Sequence, residues 1–376
     1  MSKAGIYLHI PFCKTKCIYC DFYSVTKRDD SIAQFIDCLL TEIKLNKNKL
    51  SNYNFDTIFF GGGTPSVLSA NQIEKILNAL SKYYKLDKEI EITLECNPGE
   101  INYEKLKEFK NLGVNRLSIG FQSFHDNLLK FLGRLHNADQ SISTFNDARK
   151  AGFDNINIDL IYDIPKQKIR DWKNDLFLGT SLQPEHISAY SLTVEQNTVL
   201  HSMVQNNSVS MPSEKIDKKM FLETIKYLEN KNYKHYEISN FSKKNKECNH
   251  NLHYWRLEPY LAFGPGAHGF DGEKRWWNKR SLDYYLNSLL KNILPIESEE
   301  ILSEKDSFNE TIMNGLRLME GAEIKKLNSY LNMDIKTHLE PYIQKWPYIK
   351  SNGKNLKLEK EGLLFTDEII ADLFLI

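Results

Sequence analysis

The sequence predicts an α/β protein: an open, partial (β/α)6 barrel over residues 1–240, followed by a mainly helical, winged-helix-like appendix. Three observations carry that expectation. Short apolar runs alternate with longer amphipathic ones up to about residue 240, the pattern of a parallel sheet covered by helices. Six such pairs are fewer than the eight of a closed barrel. Beyond Pro295 the alternation stops and helical spacing takes over.

The strands are expected at 6–10, 57–60, 90–94, 114–119, 156–161 and 186–192, each a short apolar run. Between them, 30–44, 71–84 and 103–111 carry apolar residues three and four apart, as helices facing a core do. The appendix is expected as helices at 303–319, 324–331 and 335–345. A hairpin should follow around 351–353, with Leu356-Lys-Leu-Glu alternating and Leu363-Leu-Phe behind it. The division is therefore 1–240 for the barrel, 241–296 for a connecting segment and 297–376 for the appendix. In partial barrels the working groups gather where strands give way to loops. Cys13–Cys20, Gly61–Thr64 and Glu95 follow the first three strands.

Composition bounds the function. The 376 residues suit two or three domains, and 41% hydrophobic content supplies cores for them. Forty-nine Lys and Arg cancel forty-nine Asp and Glu, so no global field favours nucleic acid or anionic lipid. No basic stripe free of acids marks the appendix, so no nucleic-acid partner is expected. The start lacks a signal-peptide pattern and no uncharged stretch reaches membrane-spanning length, so at most peripheral membrane contact is expected. Six cysteines in a chain this long make a poor disulfide framework. Free thiols place the protein in a reducing compartment, the cytoplasm.

Cys13, Cys17 and Cys20 are spaced C-x3-C-x2-C directly after the first strand. Three thiolates fill three corners of a [4Fe–4S] cluster and leave one iron open, since such clusters ordinarily take four. The competing reading is a zinc site completed by His9, but structural zinc draws its ligands from two separated pairs and no second pair exists. Cys38 and Cys96 read as small core residues.

The triplet, with an aromatic before its last cysteine, resembles the radical S-adenosylmethionine superfamily. In that family the cofactor's methionine end chelates the open iron, and an electron from the cluster cleaves the sulfonium. Tyr7-Leu-His-Ile-Pro-Phe-Cys13, Gly61-Gly-Gly-Thr-Pro65, Glu95-Cys-Asn-Pro98, Gly120-Phe-Gln-Ser123 and Asp159-Leu-Ile-Tyr162 narrow the resemblance to the oxygen-independent coproporphyrinogen III oxidase-like branch. The resemblance implies S-adenosylmethionine contacts at Tyr7, Gly62, Gly63, Thr64, Glu95, Gln122, Arg134 and Asp159, with Ser191 a looser match. Read by themselves, Glu95 is equally a solvated strand-end charge, and Arg134 with Asp159 an ordinary ion pair.

Two features separate the chain from the decarboxylating oxidase. That enzyme has a fourth cysteine where Phe22 stands, and a long N-terminal extension; here twelve residues precede Cys13. Both match the HemW-type haem chaperones instead, as does His250-Asn-Leu-His-Tyr-Trp255, which fits their H-N-x-x-Y-W signature. That resemblance implies haem as cargo, with His250 as its contact; neutral imidazole is the common haem ligand. His253 and His268 are substitutes, and a histidine among aromatics is as often purely structural.

The readings to separate are then a haem carrier, a radical oxidase of coproporphyrinogen III and a radical enzyme on another tetrapyrrole. The carrier reading assigns no catalytic residue. It expects handover to an acceptor such as a respiratory haem enzyme, with a homodimer allowed.

Overall fold

The computed structural model describes residues 2–331 and 334–375. Six strands, β1 (Lys3–Ile10), β2 (Asn54–Gly62), β3 (Leu86–Cys96), β4 (Arg116–Gln122), β5 (Ile156–Tyr162) and β6 (His186–Ser191), lie parallel and side by side in chain order. Helices Ile32–Leu45, Ala70–Tyr83 and Tyr103–Asn111 connect the first four. The second helix starts where Ser69 and Gln72 cap one another, each side chain bonding the other's backbone N–H.

Side chains alternate across the sheet with a period of two. Ala4, Ile6, Leu8, Ile58, Phe60, Leu94, Leu117, Ile119, Ile158 and Ile187 face the helices and are fully buried in one continuous core. The residues between them, such as Tyr7, Glu95, Ser118 and Asp159, face the other way and line the barrel interior. The core therefore lies outside the sheet and the chemistry inside it.

The sheet does not stop at six strands. β7 (Lys234–Glu237) and β8 (Asn240–Ser242) form a hairpin that β8 joins antiparallel to β6. On the other edge β9 (Tyr260–Phe263) runs parallel to β1, followed by β10 (His268–Phe270), β11 (Lys274–Asn278) and β12 (Ile296–Ile301), each antiparallel to the last. The stretch 241–296, read from sequence as a connector, thus contributes three strands to the barrel sheet.

The turn between β9 and β10 is fixed from beneath. Glu42, buried on the first helix, accepts hydrogen bonds from the Gly264 N–H (2.9 Å), the Tyr285 hydroxyl (2.7 Å) and Asn278 Nδ2 (2.5 Å). Gly264 has φ +104°, and a Cβ there would lie 2.3 Å from the His9 carbonyl oxygen. Neither the torsion nor the backbone neighbour can yield cheaply. Gly264→Ala is expected to cost about 2–5 kcal/mol; a urea midpoint equal to that of the parent protein would refute this packing.

The tail holds helices Glu304–Gly315, Ile324–Tyr330, Ile335–Ile343 and Thr366–Leu373 beside a small three-stranded sheet. Its hairpin pairs Ile349–Ser351 with Asn355–Leu358 around Gly353, as the sequence predicts. The first helix ends four residues early. A Cβ on Gly315 would lie 2.4 Å from that of Ala322, so the returning chain needs the glycine as a crossing point. Residues 360–365 form a 3-10 turn.

Candidate functional site

The inner ends of β1–β6 surround a cavity of about 970 Å³, also walled by the 13–24 loop, Asn251, Tyr254, Tyr260 and the turn before β10. Every residue that the sequence singled out for cluster or cofactor contact lines this one cavity: Cys13, Cys17, Cys20, Tyr7, Gly62, Gly63, Thr64, Glu95, Gln122, Arg134 and Asp159. Ser191 lines it too, although its hydroxyl donates to Asp217 Oδ1 at 2.7 Å.

The cysteine loop is pinned at its base and along its length. Cys13 N donates to Val25 O (2.9 Å) and Val25 N to Pro11 O (2.7 Å); Ile18 O accepts from Leu200 N (2.9 Å). Cys20 N closes a turn on Cys17 O at 3.2 Å. All three thiols are free and half-buried. Burial pushes the Cys13 and Cys20 thiols up, so bare thiolates are disfavoured there until a metal neutralises them. Among the described residues no three His, Cys, Asp or Glu side chains converge on one point as a single ion requires. His9 has both ring nitrogens engaged, Nδ1 with the Tyr7 hydroxyl (3.1 Å) and Nε2 with Tyr23 O (2.8 Å). The donor set is thus three spaced thiols without an imidazole, which suits a polynuclear cluster and not a Cys3His zinc.

A chain of hydrogen bonds links two of these cysteines. The Thr64 hydroxyl donates to Cys13 Sγ (3.5 Å) and accepts from Asn97 Nδ2 (3.0 Å). Asn97 Oδ1 accepts from Arg134 Nη2 (2.6 Å), while Arg134 Nη1 reaches Cys17 Sγ (3.5 Å). Arg134 also donates to Gly120 O at 3.0 Å, so it does not form the ion pair with Asp159 that its sequence position allowed. Asn97 escaped the sequence reading, although it stands two residues after Glu95. Gly63 completes the cradle: a Cβ there would lie 2.7 Å from Phe12 O and 2.9 Å from Ile10 O.

The floor is acidic around a buried cation. Arg116, at the start of β4, is fully buried and its Nε has no hydrogen-bond partner. Asp159 accepts from Asn157 Nδ2 (2.7 Å) and Ser118 Oγ (3.4 Å). Burial, and next the Asp159 charge, push the Glu95 carboxyl up to about 8; burial raises Asp159 as well. Glu95 is therefore a protonated, enclosed acid at neutral pH rather than a solvated strand-end charge. Gln122 closes β4 with φ +66°, a torsion that L residues rarely adopt and that concentrates at functional positions.

The histidine expectations come out differently. His250 sits on the helix Asn249–Arg256, fully buried, with Nδ1 against Thr57 Oγ1 and Nε2 against the Tyr254 hydroxyl, both at 2.8 Å. It stacks on Phe59 with ring centroids 5.2 Å apart. In this arrangement neither ring nitrogen of His250 is free. Its neighbours Asn251 and Tyr254 are the members of the signature that reach the cavity. His253 is spent between Asp56 (2.8 Å) and Glu258 (2.6 Å), which hold it protonated up to about 9. Cys248 is buried, its thiol turned to Glu91.

Comparison with known proteins places the chain among relatives. Residues 7–178 match the model of the radical SAM superfamily. The chain is 34% identical over 321 residues to the heme chaperone HemW of Bacillus subtilis, covering 85% of each chain. It is 35% identical over 346 residues to that of Buchnera aphidicola from Acyrthosiphon pisum, covering 92% of this chain and 90% of the relative. A solved structure, the coproporphyrinogen III oxidase HemN of Escherichia coli, superposes with a TM-score of 0.84 over 99% of this chain and 90% of its own. At 21% identity that likeness speaks for the fold. Among the described residues no helix is long and apolar enough to cross a membrane.

Proposed function

The chain belongs to the heme chaperone HemW family of the radical S-adenosylmethionine superfamily, and from that premise we propose that it binds haem and passes it to an acceptor protein. On this reading Cys13, Cys17 and Cys20 hold a [4Fe–4S] cluster, and an exchangeable S-adenosylmethionine lies against Tyr7, Gly62, Gly63, Thr64, Glu95, Gln122, Arg134 and Asp159. The acceptor is a haem enzyme, a respiratory one by preference, met in the cytoplasm. The observation that carries the proposal is the convergence of three free thiols and the Gly62–Thr64 cradle on one cavity.

When bound, the cluster supplies an electron to the cofactor's sulfonium. The protein's own groups do the rest. Gly62 and Gly63 let backbone approach where any Cβ would overlap neighbouring atoms. Arg134 and Thr64 direct N–H and O–H groups at sulfur, which tempers the charge of the thiolates.

Glu95 holds a proton that a bound cation would displace. Its raised pKa keeps it neutral below about 8, whereas the sulfonium and amine of the cofactor favour the ionised form. S-adenosylmethionine affinity should therefore rise with pH between 6 and 8, and Glu95→Gln should flatten that slope. Calorimetric titration across this window is the check, and a parent slope of zero would remove Glu95 from the cofactor's surroundings.

The oxidase reading is tested against the carrier reading on one anaerobic preparation. Given coproporphyrinogen III, S-adenosylmethionine and reductant, the protein should make no protoporphyrinogen, while given haem it should retain it and release it to an acceptor. Product at many turnovers would overturn the proposal.

A further inference from the structure

Among the three histidines near the signature and the β9–β10 turn, one keeps its nitrogens available. His250 and His253 spend both of theirs on neighbours. His268, at the start of β10, is exposed, lines the cavity, and among the described residues makes no ring hydrogen bond. It pairs across the strands with Trp277 and stacks on it, ring centroids 5.7 Å apart and planes 17° from parallel. That stacking fixes the plane of the imidazole without using its lone pair. Partial enclosure by the cavity wall and the nearby Arg275 and Arg280 guanidinium groups lower its pKa, which favours the neutral form that ligates iron.

The surroundings suit an amphipathic macrocycle. Phe22 and Leu135 line the same cavity yet remain 67% and 62% exposed, large apolar faces left uncovered where a ligand would cover them. Arg280 lies beside them, held by Asp21 O at 2.6 Å with its side chain 54% exposed. A planar guanidinium at the rim offers N–H groups to a carboxylate. Gly266 makes the crowding feasible: a Cβ there would lie 3.0 Å from Arg280 Cγ.

Resting on the haem-carrier reading above, we propose that haem docks at the β10 side of the cavity mouth, with His268 as its axial ligand, Phe22 against the macrocycle and Arg280 on a propionate. The haem site and the thiol loop then share one opening, since Phe22 follows Cys20 by two residues.

The test is titration of ferric haem into anaerobically prepared protein, read by the Soret band and by the low-spin electron paramagnetic resonance signal. His268→Ala should lose the imidazole signature and bind haem at least about tenfold more weakly. Added free imidazole should restore the signature. His268→Met should bind haem with a signature changed to that of a thioether ligand, whereas His250→Gln should keep the parent spectrum. A parent-like spectrum in His268→Ala, or its loss in His250→Gln alone, overturns the His268 assignment and leaves the carrier reading standing. A parent protein that binds no haem overturns both.

Discussion

Cys17→Ala is expected to reduce iron from about four per chain to near zero after anaerobic reconstitution. With one of three thiols gone, the two remaining ligands cannot specify a cubane, and metal affinity falls steeply with each lost donor. The fold should survive. The triplet lies outside the apolar cores on a half-buried loop, and that loop is held by the Cys13–Val25 and Ile18–Leu200 backbone bonds rather than by sulfur. Iron and sulfide analysis beside a thermal melt separates the two effects. Full iron content in the variant would contradict the assignment of the triplet.

Arg134→Leu should be the next most damaging change. Its half-buried guanidinium satisfies Asn97 Oδ1, Gly120 O and Cys17 Sγ together. Leucine would leave two oxygens without their donor, at about 1–3 kcal/mol each. It would also remove the positive charge beside a cluster held by thiolates, where such outer partners are worth about 10–100-fold in metal affinity. Cluster loss during chelator challenge should accelerate by that order, with Arg134→Lys intermediate because ammonium restores charge but not the fork. Equal cluster lifetimes in the parent and leucine proteins would show the Arg134–Cys17 contact to be incidental.

How much of this was visible beforehand follows from the range of the interactions. β1–β6 announce themselves because each alternates or runs apolar over four to seven residues, and the cysteine triplet because its spacing is local. Strand β4 starts at Arg116 rather than at 114, since the Asn115 side chain is used to bond Ile92 N and Ile90 O of β3. Strand β9 is hidden from a local reading because it is defined by pairing with a strand at the other end of the chain, Tyr260 beside Gly5, and β10–β12 follow it as successive antiparallel neighbours.

The site shows the same division. Gly62, Gly63, Glu95 and Arg134 stood out by type and interval. Asn97 and Arg116 did not, as their importance comes from facing inward at the right sheet register. His250 was conspicuous in the sequence, yet its nitrogens are consumed by Thr57, 193 residues away, and Tyr254. A signature names a residue; it does not say where its lone pairs go.

The measurement that bears most directly on the account is electron–nuclear double resonance of the reduced protein with S-adenosylmethionine carrying nitrogen-15 in its amine. A direct nitrogen coupling to one distinct iron of a [4Fe–4S] cluster is the result the three-thiol cavity predicts. A cluster whose spectrum ignores the cofactor, with all four irons held by the protein, would contradict it.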